Sequence, residues 1–436
     1  MRILFLTNFY PPHDYGGYEQ WCHEVALRLQ QRGHMLAVLT SRYRRQQKGE
    51  DSTCAETTEV ARTCIEAEPH VSRTLHLETD LHFYDPRDFF RRAHHERENQ
   101  ARLREQIEQV QPDVIMVWGM WNLSHNLTFW AEELRPGRVA YFISNYWPAD
   151  IDPHTAFWQL PTRRPMLNLV KRPLRSLALA KLEREGYPPQ LKFEHALCCS
   201  NYVRDTLIEA GKLPVHAGVL YGGTDPQPFL ANSSLARSDG AGKQKLRLLY
   251  FGRLDPEKGV HTALEALGLL RERSQLAGVT LTIIGSGHPA YEAKLQQLVV
   301  EHQLEEHVTF IAKVPREEIP TWLGRFDVYL FTSTWPEPMA RSVMEAMAAG
   351  LLVIGTEVGG QLEMLTHNRN ALTFQAEDAQ MLATHIAYIA KEPALRRQLA
   401  QAGQALVLAQ FTLDRMVNEI EEYLTGIVNG AAVPAG

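Results

Sequence analysis

Two glutamates, Glu337 and Glu345, stand eight residues apart in WPEPMARSVMEAMAAGLLVIGTEVGGQLEML. Glu337 sits between two prolines and reads as the start of a helix that carries Glu345. At a rise of roughly 1.5 Å per residue, eight helical positions span roughly 12 Å. That is about the reach from the sugar of a nucleotide sugar to its ribose. One carboxylate would accept hydrogen bonds from sugar hydroxyls and the other from the ribose diol. The helix N-terminus between them offers free amides and a positive dipole end to an anion. A surface helix with two solvated glutamates would show the same spacing, so the pair needs support from elsewhere.

Support comes from FGRLDPEKG, where Arg253 and Lys258 flank a turn at the end of a strand pattern. Such a pair suits a diphosphate, the guanidinium by forked hydrogen bonds and the ammonium as a point charge. Two exposed charges beside a turn are the plain alternative. Near the N-terminus, YPPHDYGGYEQW places Gly16 and Gly17 between a strand and a helix. Without side chains they let backbone amides approach a ligand oxygen, although a tight turn needs such glycines as well.

The elements that would position these residues form two series. RILFLTNF, MLAVLTS, DVIMVWG, RVAYFIS, HALCCS and AGVLYGG are near-continuous apolar strand patterns. They alternate with amphipathic helices, the first of which carries Trp21, Cys22, Val25, Ala26 and Leu29 on one face. LRLLYFGR, VTLTIIGSG, VTFIAKV, VYLFTS and LLVIGTE repeat the scheme. Such alternation indicates parallel sheets covered on both faces. The predicted class is α/β, with two Rossmann-like doubly wound domains facing across a cleft. The boundaries are 1–230 for the N-terminal domain, a polar linker at 231–245 (ANSSLARSDGAGKQK), 246–410 for the C-terminal domain, and a helix at 411–429 returning toward the first domain. A chain of 436 residues is long enough for two such cores.

The segments PPHDYGGYEQW, RGHMLAVLT, CSNYVRDTLIEAG, VLYGGTDPQPF, FGRLDPEKG, IIGSG, and EPMARSVMEAMAAG followed by EVGGQLE occur in that order. In this the chain resembles the retaining family 4 glycosyltransferases (glycosyl transferases group 1) of the GT-B fold. The resemblance runs from Met1 to about Thr425, excluding roughly residues 45–110 and 146–190. It implies that Arg253 and Lys258 hold the donor diphosphate and stabilise the leaving group. Glu345 would bind the ribose and Glu337 would lie near the donor sugar. Gly16 and Gly17 would meet the diphosphate or sugar from the opposite domain. Lys313 and Val314 would flank the nucleobase, and Met339 and Ala340 would present amides to the sugar. Arg253, Lys258 and Glu337 are thus the catalytic candidates. The implied donor is a nucleoside diphosphate sugar, a UDP-sugar favoured over a GDP-sugar, with no metal and no cofactor. The acceptor would be a glycan or lipid-linked saccharide. Met339-Ala340 replaces the usual Phe-Gly, which bears on the sugar, and Leu352 stands where a proline is usual. No catalytic histidine is assigned. Where many relatives carry a histidine soon after the DVIMVWG strand, PDVIMVWGMWNLSHNL offers Trp118 instead, and His125 comes later. An epimerase or phosphorylase on the same fold, or a donor-binding partner subunit without turnover, are the competing readings.

Other signals carry less. Asp150-Ile151-Asp152 matches the D-x-D metal signature of a different glycosyltransferase architecture. His94-His95 lies in a charged helical run and reads as a solvated face. Trp118, Trp121, Trp147 and Trp158 suit stacking on sugars, and packing against helices suits them equally. Residues 161–184 carry seven Lys or Arg against one Glu, with Leu167, Val170, Leu174 and Leu177 at helical spacing. Pro173 would begin a second short helix there. A basic amphipathic helix can lie on an anionic bilayer, but packing on its own domain is the favoured reading. The net charge of -6 and pI near 6.3 argue against a nucleic-acid partner. The five cysteines, Cys22, Cys54, Cys64, Cys198 and Cys199, show no C-x-x-C spacing and read as reduced thiols. No apolar stretch approaches the roughly 20 residues of a spanning helix. The expected location is therefore cytoplasmic, with any membrane contact peripheral at the inner face.

Overall fold

The computed structural model describes residues 1–13, 16–44, 70–79, 81, 84–161, 165–236 and 245–430. They form two compact units, one of Met1–Cys199, Val203–Leu220 and Val417–Gly436, the other of Ser200–Tyr202 and Tyr221–Met416. The first holds β1 (Arg2–Thr7), β2 (Met35–Ser41), β3 (His70–Leu75), β4 (Val114–Gly119), β5 (Val139–Ile143), β6 (His195–Cys198) and β7 (Gly218–Val219). Their spatial order is β3-β2-β1-β4-β5-β6-β7, and every pairing is parallel. β4 and β5 are buried along their whole length, so they read as unbroken apolar runs rather than alternating ones. The helix Gly17–Gln31 buries Trp21, Cys22, Val25, Ala26 and Leu29, the face its sequence predicts.

The second unit holds β8 (Leu246–Phe251), β9 (Val279–Ile284), β10 (Val308–Ile311), β11 (Val328–Phe331), β12 (Leu352–Thr356) and β13 (Ala371–Phe374). These are parallel in the order β10-β9-β8-β11-β12-β13. Its core joins the strands to the helices Val260–Glu272 and Ala379–Lys391 through residues such as Leu248, Leu264, Leu267, Leu281, Leu330, Leu382 and Ile386. In both sheets the strand order reverses beside the first strand. Open α/β sheets bind ligands outside the carboxyl ends of the strands at that reversal. The loops after β1 and β4, and after β8 and β11, are therefore the positions for a site.

The unit boundary differs from the sequence expectation. The chain passes into the second unit at Tyr221, and the start of the presumed linker is built into that unit. Ser234 N and Oγ donate to the carbonyls of Ala349 (2.9 Å) and Gly350 (2.6 Å), and Arg397 donates to the Leu235 carbonyl (2.9 Å). Polar residues that suggest a solvated linker instead satisfy carbonyls at the end of the helix Arg341–Ala348. The rest of that stretch, 237–244, lies outside the described residues. Of the final helix, Leu413–Asn429, residues from Val417 onward belong to the first unit. There Glu421 pairs with Arg32 (2.5 Å) and His34 (2.7 Å), and Arg138 donates to the Ile427 carbonyl (2.7 Å).

The basic segment is one helix, Pro165–Arg184, with Pro173 inside it rather than at a new start. Proline removes a hydrogen bond to the carbonyl four residues earlier. Here that residue is Leu169, 70% exposed, so water can serve its carbonyl. Ala178 and Leu182 pack with Phe89, Trp158 and Tyr187. Met166, Leu169, Leu174 and Leu177 face outward. Arg163 and Arg164 lie outside the described residues, as do the side chains of Leu167 and Val170. Among the described residues no helix is long and apolar enough to cross a membrane.

Candidate functional site

The loop after β8 turns through the short 3-10 helix Pro256–Lys258 into the helix Val260–Glu272. Gly259 makes this possible. It has φ +61°, and a Cβ there would stand 2.0 Å from the Thr332 carbonyl oxygen. The loop is thereby laid against the end of β11. Thr332 Oγ1 donates to the Lys258 carbonyl (2.8 Å), and Ser333 Oγ and Thr334 N donate to that of Glu257 (3.1 and 2.8 Å). Across this seam the Lys258 ammonium contacts Glu337 Oε1, which also accepts from Ser333 Oγ at 2.9 Å. Arg253, on the same loop, pairs with Asp255 (3.0 Å) and Glu257 (3.3 Å) and is 43% exposed.

Glu337 is not in a helix. The helix starts at Arg341, with Ala340 as its N-cap. A residue before proline is pushed out of the helical region, and Glu337 precedes Pro338. Its own amide turns back to the Trp335 carbonyl at 2.7 Å. The helical rise therefore applies only from Arg341 to Glu345, about 6 Å, and the 12 Å figure for the two glutamates does not stand. The backbone at Glu337 and Pro338 packs against Gly359 and Gly360. Gly360 N donates to the Glu337 carbonyl at 2.8 Å, and a Cβ on Gly360 would lie 2.0 Å from the Pro338 oxygen. The amides of Met339 and Ala340 donate to no group among the described residues. They sit at the open N-terminus of the helix Arg341–Ala348.

Glu345 lies one turn into that helix and is only 2% exposed. Its Oε1 accepts from Arg341 Nε (2.8 Å) on the same helix and from Arg316 Nη2 (2.6 Å). Burial alone would raise the carboxyl pKa, but the guanidinium groups of Arg316 and Arg341 win and hold it below the ordinary value. Glu345 is thus a buried, ionised acceptor. Arg316 opens the 3-10 turn Arg316–Glu318, separated by Pro315 from Lys313 and Val314, which leave β10 exposed and half-buried respectively. Sequence reading missed Arg316 and Ser333. Neither has a local pattern that marks it, because their partners come from other strand ends.

The second unit therefore gathers Arg253, Lys258, Glu337, Met339, Ala340 and Glu345 around the reversal between β8 and β11, with Lys313 and Val314 on the loop after β10. Gly16 and Gly17 belong to the first unit. Gly16 N donates to Glu19 Oε2 at 2.9 Å in a capping box, so that amide serves its own helix.

Other candidates are absorbed by the fold. Asp152 accepts from Thr155 N (2.8 Å) and caps the helix Pro153–Gln159, while burial raises the Asp150 carboxyl. Trp118, Trp147 and Trp158 are buried, and Trp118 Nε1 donates to the Tyr18 carbonyl (2.7 Å). Trp121 is half-buried. Burial pushes the His125 imidazole down to about 4, and its ring meets Trp147 edge-on at 5.0 Å. His95 stacks on His76 at 4.2 Å, leaving His94 solvated. Cys22, Cys198 and Cys199 are buried and form no disulfide among the described residues, and Cys54 and Cys64 fall outside the described residues. Among those residues no group of three or more His, Cys, Asp or Glu is arranged to hold a metal ion.

Comparison with known proteins bears on the family and the fold. Residues 234–406 match the family model of glycosyl transferases group 1, and residues 15–228 match that of glycosyltransferase family 4. The D-inositol 3-phosphate glycosyltransferase of Pseudarthrobacter chlorophenolicus is 27% identical over 64% of this chain and 70% of its own. The amylovoran biosynthesis glycosyltransferase AmsK of Erwinia amylovora is 31% identical over 42% of this chain and 45% of its own, so that match spans under half the relative. Two solved structures share the GT-B fold. Anabaena Alr3699/HepE in complex with UDP-glucose has a TM-score of 0.66 and 20% identity, over 97% of this chain and 99% of its own. The sucrose-phosphate synthase of Thermosynechococcus elongatus has a TM-score of 0.69 and 17% identity, over 98% and 99%.

Proposed function

The chain belongs to the group 1 glycosyl transferases, and from that premise we propose that it moves a sugar, with retention of configuration, from a nucleoside diphosphate sugar to a hydroxyl of a glycan or lipid-linked saccharide. The observation that carries the reading is the meeting of an ammonium, a carboxylate and unbonded helix-terminal amides at one strand-order reversal. Lys258 suits a diphosphate, Arg253 stands on the same loop, and the Met339 and Ala340 amides are proposed to serve the sugar. Charge builds on the leaving diphosphate as the glycosidic bond breaks, and fixed donors aimed at it lower the barrier. These cations do what a divalent metal would do, so the proposed reaction is metal-independent. Glu345 receives the ribose diol, Glu337 the sugar hydroxyls, and Lys313 and Val314 flank the base. A UDP-sugar is the favoured donor; the UDP-glucose held by the Anabaena neighbour supports UDP. A mycobacterial relative named for GDP-mannose makes GDP the competitor to test. A thermal-shift comparison of UDP and GDP with their sugars tests the reading. Stabilisation by one nucleotide series supports it, and none by either contradicts it.

The acceptor side is proposed to work at a membrane surface. The outward face of the helix Pro165–Arg184 carries Met166 (83% exposed), Leu169 and Leu177 (each 70%). Arg172, Arg175, Lys181 and Arg184 are all exposed on the same helix. Apolar residues flanked by cations fit an anionic bilayer surface.

A further inference from the structure

We infer that Arg316 is a positioning residue for ribose recognition, acting through Glu345; the inference rests on the donor reading above. Three observations carry it. Glu345 is 2% exposed, so its carboxylate can turn toward a ligand only along the direction its partners leave open. Both guanidinium groups converge on one oxygen, Oε1, from two different elements. The other oxygen accepts no hydrogen bond from the described residues. Two donors on one oxygen fix the plane of the carboxylate and leave Oε2 as its available acceptor.

The two arginines differ in what they connect. Arg341 lies one turn earlier on the same helix and is 8% exposed, so it holds Glu345 from within its own element. Arg316, 35% exposed, reaches over from the turn after β10. That turn carries Lys313 and Val314, the residues proposed to flank the nucleobase. The Arg316–Glu345 bond therefore ties the base-side loop to the ribose-side carboxylate. A shift of that loop changes where Oε2 points, and recognition of base and ribose becomes one event.

The test is calorimetric binding of UDP and GDP, each with its 2′-deoxy and 3′-deoxy form, to wild type, Arg316→Ala, Arg316→Lys, Glu345→Gln and the double variant Arg316→Ala/Glu345→Gln. A charged acceptor on a ribose hydroxyl gives wild type a preference of roughly tenfold or more for the ribo form. Arg316→Ala is expected to lose most of that preference while binding the deoxy form within about threefold of wild type. Arg316→Lys keeps a charge without the fork and restores part of the preference. The double variant loses no more than Glu345→Gln alone, as for two groups acting as one. A melting temperature near wild type for Arg316→Ala shows that the variant is folded. If Glu345→Gln abolishes the preference and Arg316→Ala keeps it, the inference is wrong and the donor reading stands. Equal losses for ribo and deoxy forms in Arg316→Ala also overturn it, because Arg316 would then touch another part of the nucleotide. If Glu345→Gln keeps the full preference, or neither nucleotide binds, the donor reading falls and takes the inference with it.

Discussion

Lys258 and Glu337 neutralise one another across the seam between two loops, and a diphosphate competes with Glu337 for the same ammonium. Lys258→Ala and Arg253→Ala should each lower sugar transfer by at least roughly a hundredfold, the scale of losing a charged contact to a leaving group. Circular dichroism should stay native, because Arg253 is 43% exposed and the bonds that seat Lys258's loop on the end of β11 run through its backbone carbonyls, not its side chain. Near-normal turnover in both variants would remove the proposed diphosphate site. Glu345 has a different signature. Its folded pKa lies below the ordinary carboxylate value. Its ion pairs therefore stabilise the fold fully above the unfolded pKa, near 4.3, and that stability is lost as pH falls through the depressed folded value. Glu345→Gln should be less stable than wild type at neutral pH, by roughly 3–5 kcal/mol for a broken buried pair. Denaturant unfolding should show the gap narrowing as the solution is acidified below about pH 4; a gap independent of pH would refute the ion-pair account. The types of Arg253, Lys258, Glu337 and Glu345 are enough to suggest their chemistry from sequence. What Arg316 and Ser333 do is not legible there, because parallel strands bring together loops that are far apart in the chain.

Strands and helices were legible where their apolar periodicity is strong. The unbroken runs of β4, β5 and β11 become buried parallel strands, and the apolar face of Gly17–Gln31 turns inward. Legibility failed at ends and junctions. Pro338 delays the helix that Glu337 was expected to open, and Ser234 bonds helix-end carbonyls instead of floating in a linker. The pair of glycines in EVGGQLE reads only as a turn until its backbone contacts with Glu337 and Pro338 are known. Gly360→Ala would place a Cβ 2.0 Å from the Pro338 oxygen, so either the turn or the Glu337 segment must shift. Sugar transfer should fall at least roughly tenfold, a cost of ~1.4 kcal/mol or more in transition-state free energy, with a lowered melting temperature. Wild-type rates and melting would contradict this seating. For the helix Pro165–Arg184, sedimentation with phosphatidylserine-containing vesicles should fall steeply with salt. It should also fall on replacing Leu169 and Leu177, or Arg172 and Arg175, with serine. Absence of binding at low salt would leave the helix with only its packing role against Phe89, Trp158 and Tyr187.

The whole chain combines two Rossmann-like units, each with its strand order reversing beside its first strand. That architecture was readable from the alternation of apolar runs and amphipathic helices, while the unit boundary at Tyr221 was not, since AGVLYGG reads as a strand pattern and the Ser- and Gly-containing stretch 231–245 is the more obvious break. Transfer should persist in EDTA, because Arg253 and Lys258 supply the cationic role; strict dependence on manganese or magnesium would revive Asp150-Ile151-Asp152. The central claim is the orientation of the donor, with ribose at Glu345 and sugar at Glu337. Calorimetric titration of wild type, Glu345→Ala and Glu337→Ala with the nucleoside diphosphate that stabilises the protein tests it most directly. The account predicts that Glu345→Ala loses roughly ten- to a hundredfold in affinity, the range for hydrogen bonds to a charged acceptor. Glu337→Ala should bind the nucleotide as well as wild type or more tightly, because Lys258 is released from its carboxylate partner. Loss of nucleotide affinity in Glu337→Ala with affinity retained in Glu345→Ala would contradict that orientation.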